Sequence, residues 1–225
     1  VRSRRQRQMC IRDRPNMVSD RVGRLLAKSN VTHVAMGIEC GNNEVATNLL
    51  KRATKNEKIF EAAEILHKYK IKLITLNLVG LPVENPLEID LETLDMNLKI
   101  KPDFAWSSIL YPYPGTELGD LATRHGFFDG NFEKVQISNK TSSNMDLGNK
   151  KTNLQINNLH KLMGVIVQFP FLRPFTKFLI SLPLTRFYQY VYFALYGYKF
   201  LRQSSLKGIA KNLWQYIIFY FKYVG

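Results

Sequence analysis

Residues 71–79 read IKLITLNLV, a nearly continuous apolar run that Gly80-Leu81-Pro82 follows at once. A run of this length without polar alternation is typical of a β-strand that is covered on both faces, as in a parallel sheet. Two further β-leaning segments flank it, THVAMGIE at 32–39 and FAWSSILY at 104–111. The sequence therefore predicts three buried strands of one sheet.

Helical patterns separate these strands. Residues 43–52 and 56–69 favour helices after the first strand, Pro86 opens a helix that reaches Ile100, and Thr116 caps a short helix after the third strand. Crossovers of this length require parallel pairing with right-handed connections. Because three parallel strands alone leave both sheet edges bare, the predicted fold class is α/β. We expect the C-terminal part of a partial (β/α) barrel with parallel strands, followed by an α-helical extension.

The charge of the 225 residues is concentrated at the two ends. Residues 1–14 hold six Arg and one Asp, residues 151–225 hold ten Lys or Arg and no carboxylate, and the residues between hold 16 basic and 17 acidic side chains. The hydrophobic content of 45% excludes a disordered chain. Cys10 and Cys40 fit neither a disulfide framework nor a zinc site, and they favour a reducing, cytoplasmic compartment. The four histidines are scattered, so no metal ligand is predicted.

The first fourteen residues, VRSRRQRQMCIRDR, lack the apolar core of a signal peptide and any helical or strand period. They resemble the translated adapter sequences found at the ends of metagenomic gene fragments, which predicts a non-native or disordered segment. The alternative is a basic arm on nucleic acid, which the arginines would serve electrostatically.

Composition divides the remaining residues into three parts. Residues 15–130 carry the strand and helix pattern, residues 131–155 are polar and are interpreted as a linker, and residues 156–225 form a basic aromatic extension. Helices are predicted in the extension at about 156–169, 172–181, 184–203 and 206–222.

The basic aromatic extension allows three interpretations. Its longest uncharged and mostly apolar run, at 187–198, has 12 residues, whereas a membrane-spanning helix needs about 20. The first interpretation is contact with an anionic membrane surface, in which Arg173, Lys177, Arg186 and Lys199 reach the headgroups; this adds a peripheral position at the inner face of the membrane. The second is a packed helical cap that turns its basic residues to water. Binding to RNA or another nucleic acid is the least favoured, because no aromatic-bearing sheet module is visible.

Unusual residues close each predicted strand. The three strand ends are Glu39-Cys40-Gly41, residues 80–84 and residues 111–116, and ligands of parallel α/β folds bind at such ends. A carboxylate at the end of a buried strand requires hydroxyls, an amine or a cation, which makes Glu39 a candidate. Gly80 lets a flat ligand approach the backbone. Each also has a structural interpretation, Glu39 as a solvated cap and Gly-Leu-Pro as a common turn. Asp90, Glu92 and Asp95 are interpreted as a solvated helix face.

The segments HVAMGIECGN, ITLNLVGLPVEN and YPYPGTEL, in this order, resemble the later strands of the radical S-adenosylmethionine (SAM) core. They are similar to the branch that often carries a cobalamin-binding domain upstream, such as the anaerobic magnesium-protoporphyrin ester cyclase. The resemblance runs from about residue 14 to residue 126. It implies SAM as a cofactor, a small-molecule or lipid-like substrate and, in some members, cobalamin.

The resemblance implies contacts with SAM for nine residues: Glu39, Cys40, Arg52, Asn77, Val79, Gly80, Tyr111, Pro112 and Tyr113. It assigns Glu39 to the ribose or amino group and Arg52 to the methionyl carboxylate. Asn77, Val79 and Gly80 are assigned to the side of the adenine, and residues 111–113 to the exit of the next strand. Cys40 replaces a Ser, and no catalytic residue is identified.

The chain departs from the family at the iron–sulfur motif. Radical SAM enzymes hold a [4Fe–4S] cluster on the thiolates of a C-x-x-x-C-x-x-C loop, but Cys10 and Cys40 are thirty residues apart. We therefore expect a fragment that binds no cluster and is inactive alone. The intact parent would use its cluster to generate a 5′-deoxyadenosyl radical for methyl transfer or cyclisation. The alternative is a non-catalytic α/β module that docks on an anionic membrane or a partner through its basic aromatic extension.

Overall fold

The structure, a computed structural model, describes residues 10–132 and 143–203. Within these ranges the chain forms four strands and eight α-helices. In chain order they are β1 (Cys10–Asp13), α1 (Asp20–Lys28), β2 (His33–Glu39), α2 (Asn43–Asn48), α3 (Asn56–Lys68), β3 (Lys72–Val79), α4 (Pro86–Ile100), β4 (Phe104–Ile109), α5 (Glu117–Arg124), α6 (Lys150–Gln168), α7 (Thr176–Ser181) and α8 (Thr185–Gln203). Short 3₁₀ helices lie at Pro15–Met17 and Pro170–Phe175.

The four strands form one sheet in the order β1-β2-β3-β4, and every neighbouring pair is parallel. Strands that follow the chain order and are joined by right-handed crossovers place their helices on one face of the sheet, as in a barrel wall. This confirms the predicted fold class, an α/β sheet consistent with part of a (β/α) barrel and followed by a helical extension.

One face of the sheet is covered by helices. Val34 and Met36 of β2 and Leu73 of β3 pack with Leu66 of α3 and Ile100 of α4. Further along the sheet, Val79, Ala105 and Ile109 pack against α4 and α6. Side chains alternate along a strand, so Gly37, Ile74, Leu76 and Trp106 lie on the opposite face. Each of these four is only half-buried.

Local signals set most element boundaries as predicted. Asn42 caps α2 by accepting a hydrogen bond from the Val45 N–H at 3.0 Å, and Thr116 caps α5 in the same way. The fixed backbone angle of Pro86 suits the first turn of α4. Helix α4 ends at Ile100, as predicted, because Lys101 adopts a left-handed conformation.

The start of the chain differs from the prediction. Cys10–Asp13 form β1, which pairs in parallel with β2, so the expectation of an unfolded segment is wrong for these four residues. The free edge of β2 supplies the backbone hydrogen bonds, for which the side-chain pattern gives no signal. Residues 1–9 lie outside the described residues. Helix α1 was not predicted from the sequence; Ser19 caps it, and it packs against α3.

The predicted linker is shorter than expected, because α6 begins at Lys150. Asn149 caps this helix, and side-chain oxygens of Asn153 and Asn157 accept hydrogen bonds from the backbone of the preceding loop. Asn153, which was interpreted as a linker residue, is therefore a helix residue that holds the loop. Met145 and Leu147 of that loop are buried.

The extension packs against the sheet domain through α6, which contacts β4 and α4. Arg173 makes a two-pronged ion pair with Asp95 of α4, with 2.8 Å between Nη2 and Oδ2. Lys177 pairs with Glu88 of the same helix at 2.8 Å. Both cations therefore pair with acids of α4, while the Lys177 side chain stays 62% exposed. The headgroup and packed-cap interpretations of the extension remain predictions.

The other helices of the extension follow the prediction in part. The segment expected at 172–181 is split into the 3₁₀ helix and α7, and α8 matches the helix expected at 184–203. The helix expected at 206–222 lies outside the described residues. Across residues 10–132 and 143–203, no helix combines the length and the apolar character needed to cross a bilayer.

Candidate functional site

The candidate site lies at the carboxyl end of β2, on the sheet face opposite α3 and α4. Pairing with β3 shifts register between Gly37 and Glu39, so that Glu39 lies opposite Asn77. Glu39 adopts a left-handed backbone conformation with φ of 64°, which is uncommon for a residue with a side chain. Its carboxylate lies over Gly37, where a Cβ atom would be only 2.7 Å from Oε1. The absent side chain of Gly37 therefore provides the space that the carboxylate occupies.

Arg52 meets Glu39 from the segment that follows α2. Its Nη1 lies 3.4 Å from Glu39 Oε1, and its Nη2 donates a hydrogen bond to the Gly37 carbonyl oxygen at 2.8 Å. The Arg52 backbone N–H donates a hydrogen bond to the Ala46 carbonyl oxygen, which holds the residues after α2 against the last turn of that helix. The guanidinium is thus oriented by backbone contacts on both sides.

The pair retains unused hydrogen-bonding capacity. Arg52 Nη1 is buried and has no hydrogen-bond partner among the described residues. The side chains of Arg52 and Glu39 remain 19% and 31% exposed through their other atoms, so a ligand that binds Arg52 Nη1 must first displace the side chains that cover it. A buried donor without a partner costs about 1–3 kcal/mol, and a ligand oxygen would remove this cost. We call Glu39 and Arg52 the carboxylate–guanidinium pair.

Burial and charge act in opposite directions on Glu39. Burial raises the pKa of its carboxyl group, and the nearby Arg52 guanidinium partly opposes this shift. A ligand cation or hydroxyl beside the carboxylate would compensate the desolvation. The arrangement can therefore hold a ligand that carries both an ammonium or hydroxyl group and a carboxylate.

Asn77 and Val79, predicted to lie beside an adenine, turn their side chains toward the helices. The Asn77 amide donates to the Trp106 carbonyl oxygen at 2.9 Å and accepts from Asn97 Nδ2 at 2.8 Å. Val79 is fully buried in the core between the sheet, α4 and α6. Period-two alternation places both side chains on the covered face. The side chains of both residues therefore face away from a ligand over Gly37, and their assignment to the side of the adenine stays a prediction.

Gly80 has the left-handed backbone that its position after β3 requires, with φ of 73°. Its N–H donates to the Asp90 carboxylate at 2.9 Å. A Cβ atom here would lie 3.1 Å from Leu147 and 3.3 Å from Ile156, both from the part of the chain after α5. The space expected for a flat ligand at the Gly80 Cα is therefore filled by protein.

Asp90 carries a buried carboxyl group, contrary to the prediction from the sequence. It was interpreted as part of a solvated face, yet it is 0% exposed, and burial raises its pKa well above the ordinary value. Its contact is the Gly80 backbone, so its role is to hold the loop after β3. The sequence held one signal for this contact. An acidic residue early in a helix, shortly after a strand end that contains a glycine, can accept a hydrogen bond from the glycine N–H.

Cys40 is enclosed and fits no metal role. It is 1% exposed, its Sγ lies 3.7 Å from the Asn42 carbonyl oxygen, and burial raises the pKa of its thiol. Within the described ranges, no three His, Cys, Asp or Glu side chains are grouped so as to hold a metal. With two cysteines in the whole sequence, the residues present do not fit a [4Fe–4S] cluster, which needs three thiolates to leave one iron open.

The last three candidates lie after β4. Tyr111 is half-buried against the core formed by α4 and α6, and Pro112 is buried. Tyr113 is 52% exposed, and its carbonyl oxygen accepts the Thr116 hydroxyl at 2.7 Å. The structure thus brings Glu39 and Arg52 together over Gly37, whereas the other predicted residues are enclosed in the core or belong to the loop before α5.

Comparison with known proteins supports one family. A family model described as the radical SAM superfamily matches residues 3–94. The match covers the described strands β1 to β3 and includes the carboxylate–guanidinium pair, and it begins within the segment of residues 1–14. A radical SAM domain indicates SAM-dependent radical chemistry, for which the family in general uses SAM and a [4Fe–4S] cluster. No curated protein matches the chain.

Proposed function

We propose that this chain binds SAM through Glu39 and Arg52 and is a part of a radical SAM enzyme. The observation that carries the proposal is the carboxylate–guanidinium pair at the carboxyl end of β2, inside the segment that matches the family. In parallel α/β folds ligands bind at this end of the strands.

The chemistry of SAM complements the pair. Its methionyl part carries an ammonium and a carboxylate, and its ribose carries two hydroxyl groups. Arg52 Nη1, which has no hydrogen-bond partner among the described residues, suits the methionyl carboxylate. Glu39 suits the ammonium or the ribose hydroxyls, which would offset its desolvation. Charge-assisted hydrogen bonds of this kind contribute about 1.5–3 kcal/mol each.

The backbone of Glu39 supports a binding role. A non-glycine residue in the left-handed region costs about 1–3 kcal/mol, and such residues cluster at ligand sites, where the surrounding structure maintains them. The Gly37 carbonyl bond to Arg52 and the space above Gly37 fix the pair before a ligand arrives. Binding then requires only the local side-chain movement that uncovers Arg52 Nη1, which limits the cost of reorganisation.

In this proposal, the residues that bind the iron–sulfur cluster are not in this chain. The chain's two cysteines cannot hold it, so its ligands would come from other sequence of the parent protein. This chain's own part is to bind and orient SAM and to exclude water around it. Methyl transfer, cyclisation and the use of cobalamin remain expectations from the resemblance.

Titration of the isotope-labelled full chain with SAM, followed by amide NMR, tests the proposal. We expect shifts centred on Gly37, Glu39 and Arg52. Glu39→Gln and Arg52→Gln should each raise Kd about tenfold to hundredfold, because each removes a charge-assisted hydrogen bond.

The exposed ion pair between Lys51 and Glu117 offers matched controls. Its side chains are 64% and 72% exposed, so Lys51→Gln and Glu117→Gln change the same charges outside the site and should leave Kd unchanged. Absence of SAM-dependent shifts in the wild-type chain, or equal affinities of all four variants, would contradict the proposal and favour a non-catalytic α/β module.

A further inference from the structure

We propose that residues 169–190, here called the aromatic segment, form a docking surface for an anionic lipid bilayer. The aromatic segment runs from the end of α6 through α7 to the first turns of α8. Seven of its large apolar side chains are between 44% and 69% exposed: Phe169, Phe171, Phe175, Phe178, Leu184, Phe187 and Tyr190.

The exposed side of the aromatic segment is separate from its packed side. Phe171 and Phe175 of the 3₁₀ helix and Phe178 of α7 are each 59–69% exposed. Thr176 and Ile180 are fully buried toward the sheet domain. The segment therefore already has a core contact, and its exposed rings form a second apolar face.

Helix α8 shows the same division. Tyr188 is 4% exposed, and its hydroxyl donates to the Leu179 carbonyl oxygen at 2.9 Å, whereas Phe187 and Tyr190 on either side are more than half exposed. With about 200 Å² for each aromatic side chain, the six exposed rings of the aromatic segment present roughly 700 Å² of largely apolar surface. The summed area is on the scale of the exposed apolar surface found at protein–protein and membrane interaction sites.

The charge around these rings selects the partner. The aromatic segment contains Arg173, Lys177 and Arg186 and no acidic residue. The first two pair with acids of α4, and Arg186 is exposed beside Phe187. Such a surface attracts anionic headgroups and repels a second copy of itself. Aromatic rings bordered by cations are typical of the membrane interface.

The structure also indicates how the aromatic segment would be held at the surface. The ion pairs of Arg173 with Asp95 and of Lys177 with Glu88 tie it to α4. The rings are thus presented by a fixed scaffold, and insertion to the depth of the headgroups needs no spanning helix. The membrane interpretation reached from composition is thereby assigned to particular side chains.

Co-sedimentation of the full chain with vesicles tests this surface. The wild-type chain should pellet with vesicles of equal parts phosphatidylglycerol and phosphatidylcholine, and far less with phosphatidylcholine alone. Added salt should weaken binding, because it screens the headgroup charge. The double variant Phe171→Ala with Phe178→Ala should lose about tenfold or more in partitioning. Arg186→Gln should weaken binding and reduce its dependence on salt.

A matched control replaces exposed apolar side chains elsewhere. Met17 and Leu25 are 59% and 51% exposed, so Met17→Ala with Leu25→Ala should pellet like the wild type. A wild-type chain that stays in the supernatant, equal binding to both vesicle types, or full binding by the double phenylalanine variant would overturn the proposal. Self-association without vesicle binding, abolished by that variant, would instead assign the surface to a second copy.

Discussion

The substitution Gly37→Ala should separate SAM binding from folding. A Cβ atom at this position would lie 2.7 Å from Glu39 Oε1 and 3.8 Å from Arg52 Nη1. An unstrained carbon–oxygen contact is about 3.3–3.6 Å, so the carboxylate must move by about 0.6–0.9 Å. It sits at the end of a flexible side chain and can do so, but it then leaves its place in the carboxylate–guanidinium pair.

The substitution should change the affinity for SAM but hardly change the stability of the fold. Replacing glycine by alanine inside a strand contributes about 0.5–1 kcal/mol through the unfolded state, which offsets the small cost of moving the Glu39 carboxylate. The unfolding free energy should therefore stay within about 1 kcal/mol of the wild type. Loss of one charge-assisted hydrogen bond to SAM should raise Kd about tenfold to hundredfold.

Two measurements on the same samples check this expectation. Urea unfolding gives the stability, and NMR titration with SAM gives the affinity and the shifts of Glu39 and Arg52. A variant that binds SAM as the wild type does would refute the assignment of the site to the face of Gly37. A variant that loses several kcal/mol of stability would refute the contact geometry from which the displacement was calculated.

Two further predictions concern the segments around the site. Gly41→Ala should lower the unfolding free energy, measured in urea, by about 1–3 kcal/mol or more, because its Cβ would lie 2.7 Å from backbone atoms of α4 that cannot move aside. Gly197→Ala in α8, whose Cβ would have nothing within 4 Å, should instead raise the unfolding free energy by up to about 1 kcal/mol. Asp90→Asn should flatten the pH dependence of stability: burial holds the folded pKa of Asp90 above the unfolded value of 3.8, so its contribution is complete below that value and is lost as pH rises through the folded pKa. The asparagine can still accept the Gly80 N–H. In urea unfolding across a pH series, the unfolding free energy of the variant should therefore exceed that of the wild type as pH rises. The control Asp120→Asn, at an exposed position, should show the same pH dependence of stability as the wild type.

The strands and most helices of the sheet domain were predicted from local signals. Helix α4 was predicted from Pro86 to Ile100, as observed, because proline suits a first turn and Pro102 cannot continue a helix. In the structure Lys101 ends the helix in a left-handed conformation. The predicted start of helix α6 was several residues too late, because Asn153 was interpreted as a loop residue but lies in the helix and binds the preceding loop. Strand β1 was missed because its evidence is the edge of β2, which is remote in sequence.

The site shows the same division. The sequence by itself determined that Glu39 closes a strand and that Asn77 and Val79 share a face with Leu73, because alternation along a strand is a local property. It could not tell which face the helices cover, since a strand buried on both sides has no polar side. Only the tertiary structure decided that question. Packing of α4 and α6 enclosed Asn77 and Val79, buried Asp90 against the Gly80 backbone, and left Gly37 as the open position over which Glu39 and Arg52 meet.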